Sequence, residues 1–194
     1  MNLKMILTSE NVSNEILNNL DYLLTIIPEI KPMIGFNQKH PHHNLDVFMH
    51  TLEALKNSKN DYIIRLALLF HDIGKIGVPD AILQKNGKLD DDEYSQIKQH
   101  PNIGVHILSH AKIFQNILPI VEHHHEKYDG TGYPGKLAGE NIPYLARIAS
   151  IADSFDAMTS KRALIEILYL LILLFLNSKN LEELNLTLIL MMFS

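Results

Sequence analysis

Residues 61–79 read DYIIRLALLFHDIGKIGVP. Asp61 is a helix N-cap residue type, IIRLALLF is apolar but for Arg65, and adjacent His71 and Asp72 end it before Gly74, Gly77 and Pro79 force a loop. That is a buried helix delivering an imidazole and a carboxylate at its C-terminal end. Outward from it the pattern stays helical. Leu45, Phe48, Met49, Leu52 and Leu55 mark a preceding helix that carries His50, and Ile16, Leu20, Leu23 and Ile27 mark another, closed by Pro28. Downstream, Asp90 and Glu93 stand at capping-box spacing and open a helix expected to end near His100 and Pro101. Further helices are expected over 102–110 and 114–126, and one from Pro143 with Leu145, Ile148, Ile151, Ala152, Phe155 and Met158 on its apolar face. DGTGYPGKLAGEN (129–141) reads as a loop, and nothing reads as a strand or a repeat. The expected fold class is all-α.

The 194 residues suit one domain with a real core. With 17 Lys+Arg against 22 Asp+Glu and a formal charge of −5, no broad basic surface invites a nucleic acid polymer. The absence of Cys removes disulfides, thiolate nucleophiles and Cys-type zinc sites together, so a metal would rest on His, carboxylate and water. The N-terminus, MNLKMILTSEN, lacks an apolar core and cleavage site of the secretory type. The longest apolar run, ILYLLILLFL at 167–176, falls well short of the ~20 residues that span a bilayer. The expectation is a soluble cytoplasmic protein without stable membrane insertion.

Of the 11 His, those that matter chemically cluster with acids: His71-Asp72, His100, His124-His125-Glu126, and Asp153 on a later helix. Each falls at or near a helix end, where a bundle converges ligands on one point. Mixed imidazole and carboxylate ligation suits iron, manganese or zinc better than magnesium or calcium. His40, His42 and His43 are expected in a solvated loop, His106 and His110 on a helix surface, and His123 facing outward. The 7 Met are scattered core fillers.

HDIGKIGVPDAIL, then QHP, HHEKYDGTGYPG and RIASIADSFDAMTSKR occur in an order and spacing that closely resemble the HD-GYP family. These are bacterial phosphodiesterases of the wider HD superfamily that hydrolyse cyclic di-GMP. The resemblance covers roughly residues 60–162 and implies an HD-type helical bundle with a metal centre in its core. It implies two or three divalent metal ions, iron or manganese, held by His71, Asp72, His100, His124, His125 and Asp153, with Asp72 bridging two of them. It makes Lys75 the lysine that contacts the scissile phosphate and Arg162 an arginine that grips substrate phosphate. Gly132-Tyr133-Pro134 becomes the naming motif, in a loop that shapes the substrate side of the pocket. Arg147 and Asp156 also fit the pattern and equally suit a structural ion pair. A cyclic dinucleotide is the implied substrate, giving pGpG or GMP. The rival readings are an HD phosphohydrolase acting on another nucleotide or phosphoester, and a nucleotide-binding signalling module without turnover.

Two departures stand out. The family's earlier ligand histidine would be His50, closer to His71 than is usual there, and HPHHNLDVFMHTLEAL (40–55) looks more like the HD domains attached to tRNA nucleotidyltransferases. Asp46, one turn before His50, would be available for a third metal. From Ala163 the chain becomes Leu-rich without Gly, Pro, Asp or His, unlike the family's mixed-polarity closing helices. A shifted reading frame or an incomplete chain from about residue 163 would account for it; a genuine tail would cap the core or make a homodimer contact. The expected division is a helical extension over 1–44, the HD unit over 45–162 and the atypical tail over 163–194. The extension is too short for a receiver or sensing domain, so a regulator would act in trans.

Overall fold

The computed structural model describes residues 2–37, 45–85 and 87–159, with side chains of the last stretch as far as Ser154. His40, His42, His43, Arg162 and the Leu-rich tail lie outside the described residues, as does the side chain of Asp156. Ten α-helices are described: α1 (Leu3–Leu7), α2 (Val12–Asn18), α3 (Leu20–Ile26), α4 (Val47–Lys56), α5 (Tyr62–Phe70), α6 (Asp80–Leu83), α7 (Asp91–Ile97), α8 (His100–Leu108), α9 (Leu118–His123) and α10 (Tyr144–Thr159). Short 3₁₀ turns cover Pro28–Met33, Ile73–Gly77, Lys112–Phe114 and Gly139–Asn141. There is no strand among the described residues, and a single bridge joins Asn37 to Asp46. The fold is all-α. No helix among the described residues is long and apolar enough to cross a membrane.

Helix α5 is the axis. Its N-cap Asp61 accepts the amides of Ile63 and Ile64, and from Ile64 to Phe70 every residue is buried. Leu66 to Phe70 sit in one apolar core with Phe48, Leu52 and Leu55 of α4, Ile120 and Val121 of α9, and Leu3, Ile6, Leu7 and Ile16 of the N-terminal helices. The one charge in that run, Arg65, is satisfied without a carboxylate. Its guanidinium donates to the Leu7 and Ser9 carbonyls at 2.8 Å each and to Asn60 Oδ1 at 3.1 Å, tying the first turn of the chain to the central helix. Burial lowers its pKa, opposed by Glu10.

Three helix boundaries differ from expectation, each for a local reason. The helix expected through 16–27 breaks at Asn19, whose side-chain amide donates to the Glu15 carbonyl at 2.8 Å while its backbone leaves helical geometry. Pro101 does not end a helix but sits in the first turn of α8, where no amide donor is needed, so α8 begins at His100 rather than at 102. Pro119 does the same for α9, which shrinks the expected 114–126 helix to six residues. Asp90 and Glu93 form the expected capping box on α7.

The turn after α5 lies directly against α8. A Cβ on Gly74 would stand 1.8 Å from the His100 carbonyl oxygen and 2.6 Å from the Gly104 amide nitrogen. Only hydrogen fits there. The close approach sets how near the α8 N-terminus, with His100, comes to Asp72.

Candidate metal centre

Five chain segments point side chains at one spot. His50 comes from α4, His71 caps the end of α5 and leads into Asp72 and, in the 73–77 turn, Lys75, His100 opens α8, His124 and His125 follow α9, and Asp153 projects from α10. His50, His71, Asp72, Lys75, His100 and His124 are buried. Their potential ligand atoms fall into two groups, Asp72–His100–His124–His125 and His50–His71–Asp153, with the atoms of each group within 4.8 Å of one another.

Asp72 lies between the groups. Its Oδ1 is 3.4 Å from His100 Nε2, and its Oδ2 is 3.5 Å from the Nε2 atoms of both His50 and His71. Asp153 Oδ1 is 3.1 Å from His50 Nε2 and 3.3 Å from His71 Nε2. Lys75 Nζ donates to Asp72 Oδ2 at 2.7 Å.

The backbone selects the histidine tautomers. The Nδ1 atoms of His71, His100 and His124 stand 2.7, 2.8 and 2.7 Å from the carbonyls of Leu68, Ile97 and Val121, each three residues earlier. A carbonyl oxygen only accepts, so each Nδ1 carries a hydrogen; the neutral rings of His100 and His124 therefore turn a bare Nε2 inward, while His71 Nε2 faces Asp153 Oδ1. The Nε2 atoms of His100 and His124 face each other at 3.4 Å. Two lone pairs at that distance repel unless a cation lies between them. Burial, followed by the charge of His125, lowers His100 to about 3 and holds His124 well below the usual imidazole range, so a proton is not that cation near neutral pH. Ligand atoms each ~2.1 Å from one ion stand about 3 to 3.5 Å apart. Donor types and spacings therefore fit divalent metal.

The remaining charges balance the same way. Burial pushes the Asp72 carboxyl up, but Lys75 and the surrounding histidines outweigh it and hold it well below the ordinary carboxylate value. Burial of Asp153 is likewise outweighed by hydrogen bonds to His50 and His71. Burial pulls His71 down, and Asp72 and Asp153 reverse that to raise it. Burial brings His125 to about 4. The metal-free protein is consequently expected to lose stability in acid. His100, His124 and His125 are neutral in the fold and bind protons more readily once unfolded, so their stabilising contribution is present above the ordinary imidazole value of ~6.5 and drains away as pH falls toward 4. His71 works in the opposite direction, alone against three. A thermal midpoint of the metal-stripped protein that falls steadily from about pH 7 to about 4.5 is expected; a flat profile would contradict the neutral, inward-facing assignment.

Gly132-Tyr133-Pro134 closes one side. The Tyr133 ring stacks on His125 with centroids 4.8 Å apart and planes 29° apart, and lies 6.4 Å from the His100 ring. Burial raises the Tyr133 phenol, so it stays a neutral hydroxyl. The loop is bolted to the ligand segment. Tyr133 N donates to the His125 carbonyl at 3.2 Å, and a Cβ on Gly132 would meet the Lys127 amide nitrogen at 2.2 Å. Glu126 does not join the ligand atoms: its buried carboxylate accepts the amides of Gly135 at 2.6 Å and Leu137 at 3.1 Å, holding the loop's far side. Its place in HHE groups it with the histidines; only the Gly-rich loop a few residues on hinted at this other use.

Other expectations resolve individually. Asp46 caps α4, with Oδ1 accepting Met49 N at 2.7 Å and Oδ2 accepting Gly35 N at 2.9 Å. His123 is not outward-facing as expected: its side chain is 17% exposed and its Nδ1 stands 3.5 Å from Glu126 Oε1. Its ring lies against the Gly-rich loop, with Cε1 3.5 Å from where a Cβ on Gly135 would stand. His106 and His110 are ring neighbours at the surface, and Arg147 lies 5.4 Å from the Tyr144 ring. The sequence reading passed over Tyr94 and Lys98, whose i,i+4 spacing just before His100 was the available signal.

This fold and donor set define a helical metal-site protein of the HD type, and the HD domain family model matches residues 33–166. The chain belongs to the HD domain family. It is 49% identical over 102 residues to a cyclic di-GMP phosphodiesterase response regulator of Xanthomonas campestris, covering 52% of this chain and 27% of that protein. Over 101 residues it is 48% identical to a cyclic di-GMP phosphodiesterase of Thermotoga maritima, covering 51% and 27%. Over 114 residues it is 45% identical to a 3′3′-cGAMP-specific phosphodiesterase of Vibrio cholerae, covering 58% and 22%. The matched part of the chain thus spans about a quarter of these relatives' length.

Proposed function

We propose that this chain is a metal-dependent phosphodiesterase that hydrolyses cyclic di-GMP to pGpG or GMP in the cytoplasm. The observation that carries the reading is Asp72 between two inward-facing ligand groups. His100, His124 and His125 would hold one ion, His50, His71 and Asp153 a second, and Asp72 would reach both, within a catalytic unit spanning 45–162. Iron or manganese bound there acidifies water and neutralises phosphoryl charge.

In hydrolysis a water oxygen bonds to phosphorus, the P–O3′ bond breaks and the leaving oxygen takes up a proton. The Lys75 ammonium, beside Asp72, would donate to a phosphoryl oxygen as charge builds on it. Arg162 would hold substrate phosphate as a fork. Tyr133 would wall the pocket against His125 and keep bulk water from that side. A second reading, a preference for 3′3′-cGAMP, is favoured by the likeness to the Vibrio protein of that specificity.

The test is anaerobic purification with Fe(II) or Mn(II), followed by chromatographic product analysis on both cyclic dinucleotides. Turnover of cyclic di-GMP to pGpG or GMP is expected. Faster turnover of 3′3′-cGAMP would transfer the reading to that substrate. Tight binding without hydrolysis by a metal-loaded protein would overturn the catalytic reading and leave a binding module.

A further inference from the structure

Beside the metal centre lies a cation held by rings instead of acids. Tyr94 and Lys98 are four residues apart on one face at the end of α7, and Lys98 Nζ sits 4.3 Å above the Tyr94 ring centroid. The same ammonium is 5.8 Å from the Tyr133 ring, the ring that stacks on His125. A continuous path therefore runs from His125 through Tyr133 to Lys98. The nearest acid of the capping box is engaged elsewhere, since Glu93 accepts from Lys85 and from the Asp90 amide. Lys98 has no ion pair among the described residues. Tyr94 is 46% exposed and Lys98 half-buried, so the pair opens to solvent on the Tyr94 side.

Ring faces orient an ammonium without cancelling its charge, which leaves it available to an anion. A substrate with two phosphodiesters in one ring presents such an anion whenever the other phosphate is at the metal centre. We propose that Lys98, seated on Tyr94 and Tyr133, is the subsite for the phosphodiester that is not being cleaved. This rests on the cyclic dinucleotide reading above and adds how the pocket tells a two-phosphate ring from a simple diester. Lys98 binds the remote phosphate; Tyr94 positions it.

The test compares cyclic di-GMP with bis(p-nitrophenyl) phosphate, which has one phosphodiester, on the metal-loaded full chain. Lys98→Met should raise KM for the cyclic dinucleotide ~10-fold or more, the usual scale for one charge-assisted contact, with kcat nearly unchanged. Its kcat/KM on the simple diester should not move, and Lys98→Arg should recover most of the loss. Tyr94→Ala should show a weaker version of the same split. An unchanged KM in Lys98→Met, or equal losses on both substrates, would overturn the assignment; equal losses would mean that Lys98 merely supports His100. A wild-type protein that cleaves the simple diester but neither binds nor cleaves cyclic dinucleotides would overturn both this subsite and the substrate reading. Wild-type turnover with an indifferent Lys98→Met would overturn the subsite alone.

Discussion

Asp72→Asn is expected to fold, to bind divalent metal more weakly, and to hydrolyse cyclic dinucleotide on the order of 10³-fold more slowly than the unaltered chain. Loss of a residue that only orients a metal ligand typically costs about 10–100-fold in metal affinity or activity, so a residue between both ligand groups should cost more. The amide keeps the shape and the hydrogen-bonding reach of Asp72. What it loses is charge, and three inward Nε2 atoms stand 3.4 to 3.5 Å from that charge. Lys75 also loses its counter-ion at 2.7 Å. The isostere is preferred to Asp72→Ala because truncation would add a cavity beside a buried ammonium and confuse folding with chemistry. Metal analysis and turnover on one sample check the result; full metal content and a near-normal rate in Asp72→Asn would remove Asp72 from the centre.

Gly74→Ala should be the most damaging conservative change outside the ligands. Its new methyl would occupy the place of the His100 carbonyl, 1.8 Å from that oxygen, and also crowd the Gly104 amide at 2.6 Å. Both are helix backbone, which cannot rotate aside as a side chain does. Relief requires α8 to retreat, carrying His100 away from Asp72. A stability loss of about 3 kcal/mol is expected from overpacking, and a displacement of ~1 Å at a ligand should lower the rate by about 10²-fold or more. Gly77→Ala is the internal comparison, since its nearest neighbour would be the Ile103 Cγ2 at 2.8 Å, part of a side chain able to shift. Denaturant unfolding and turnover should rank the two variants in that order. Equal, small effects would mean that α8 is not seated on the 73–77 turn.

Much of this was legible in the chain because the decisive features are local. Asp61 before an apolar run, His71-Asp72 at its end and the Asp90/Glu93 pair each express themselves within a few residues. The convergence of His100, His124, His125 and Asp153 was hinted at by their places near expected helix ends, but His50 joined them only through the resemblance, since no periodicity relates residues so far apart. Prolines blur the boundaries: Pro101 reads as a stop and Pro119 falls inside an expected helix, yet each sits in a first turn where its missing donor costs nothing. Asp46 lay in register with His50 but is consumed by backbone amides, which side-chain spacing alone does not reveal. Glu126, grouped with His124 and His125 by sequence, serves the loop instead.

Two ligand groups sharing Asp72 would together hold two ions. Mn(II) titration of metal-free protein, followed by electron paramagnetic resonance and by turnover at each addition, tests it most directly. At least two equivalents per chain are expected, with magnetic coupling between the ions and activity rising only with the second. Saturation at one equivalent with full activity, or two uncoupled ions, would contradict it.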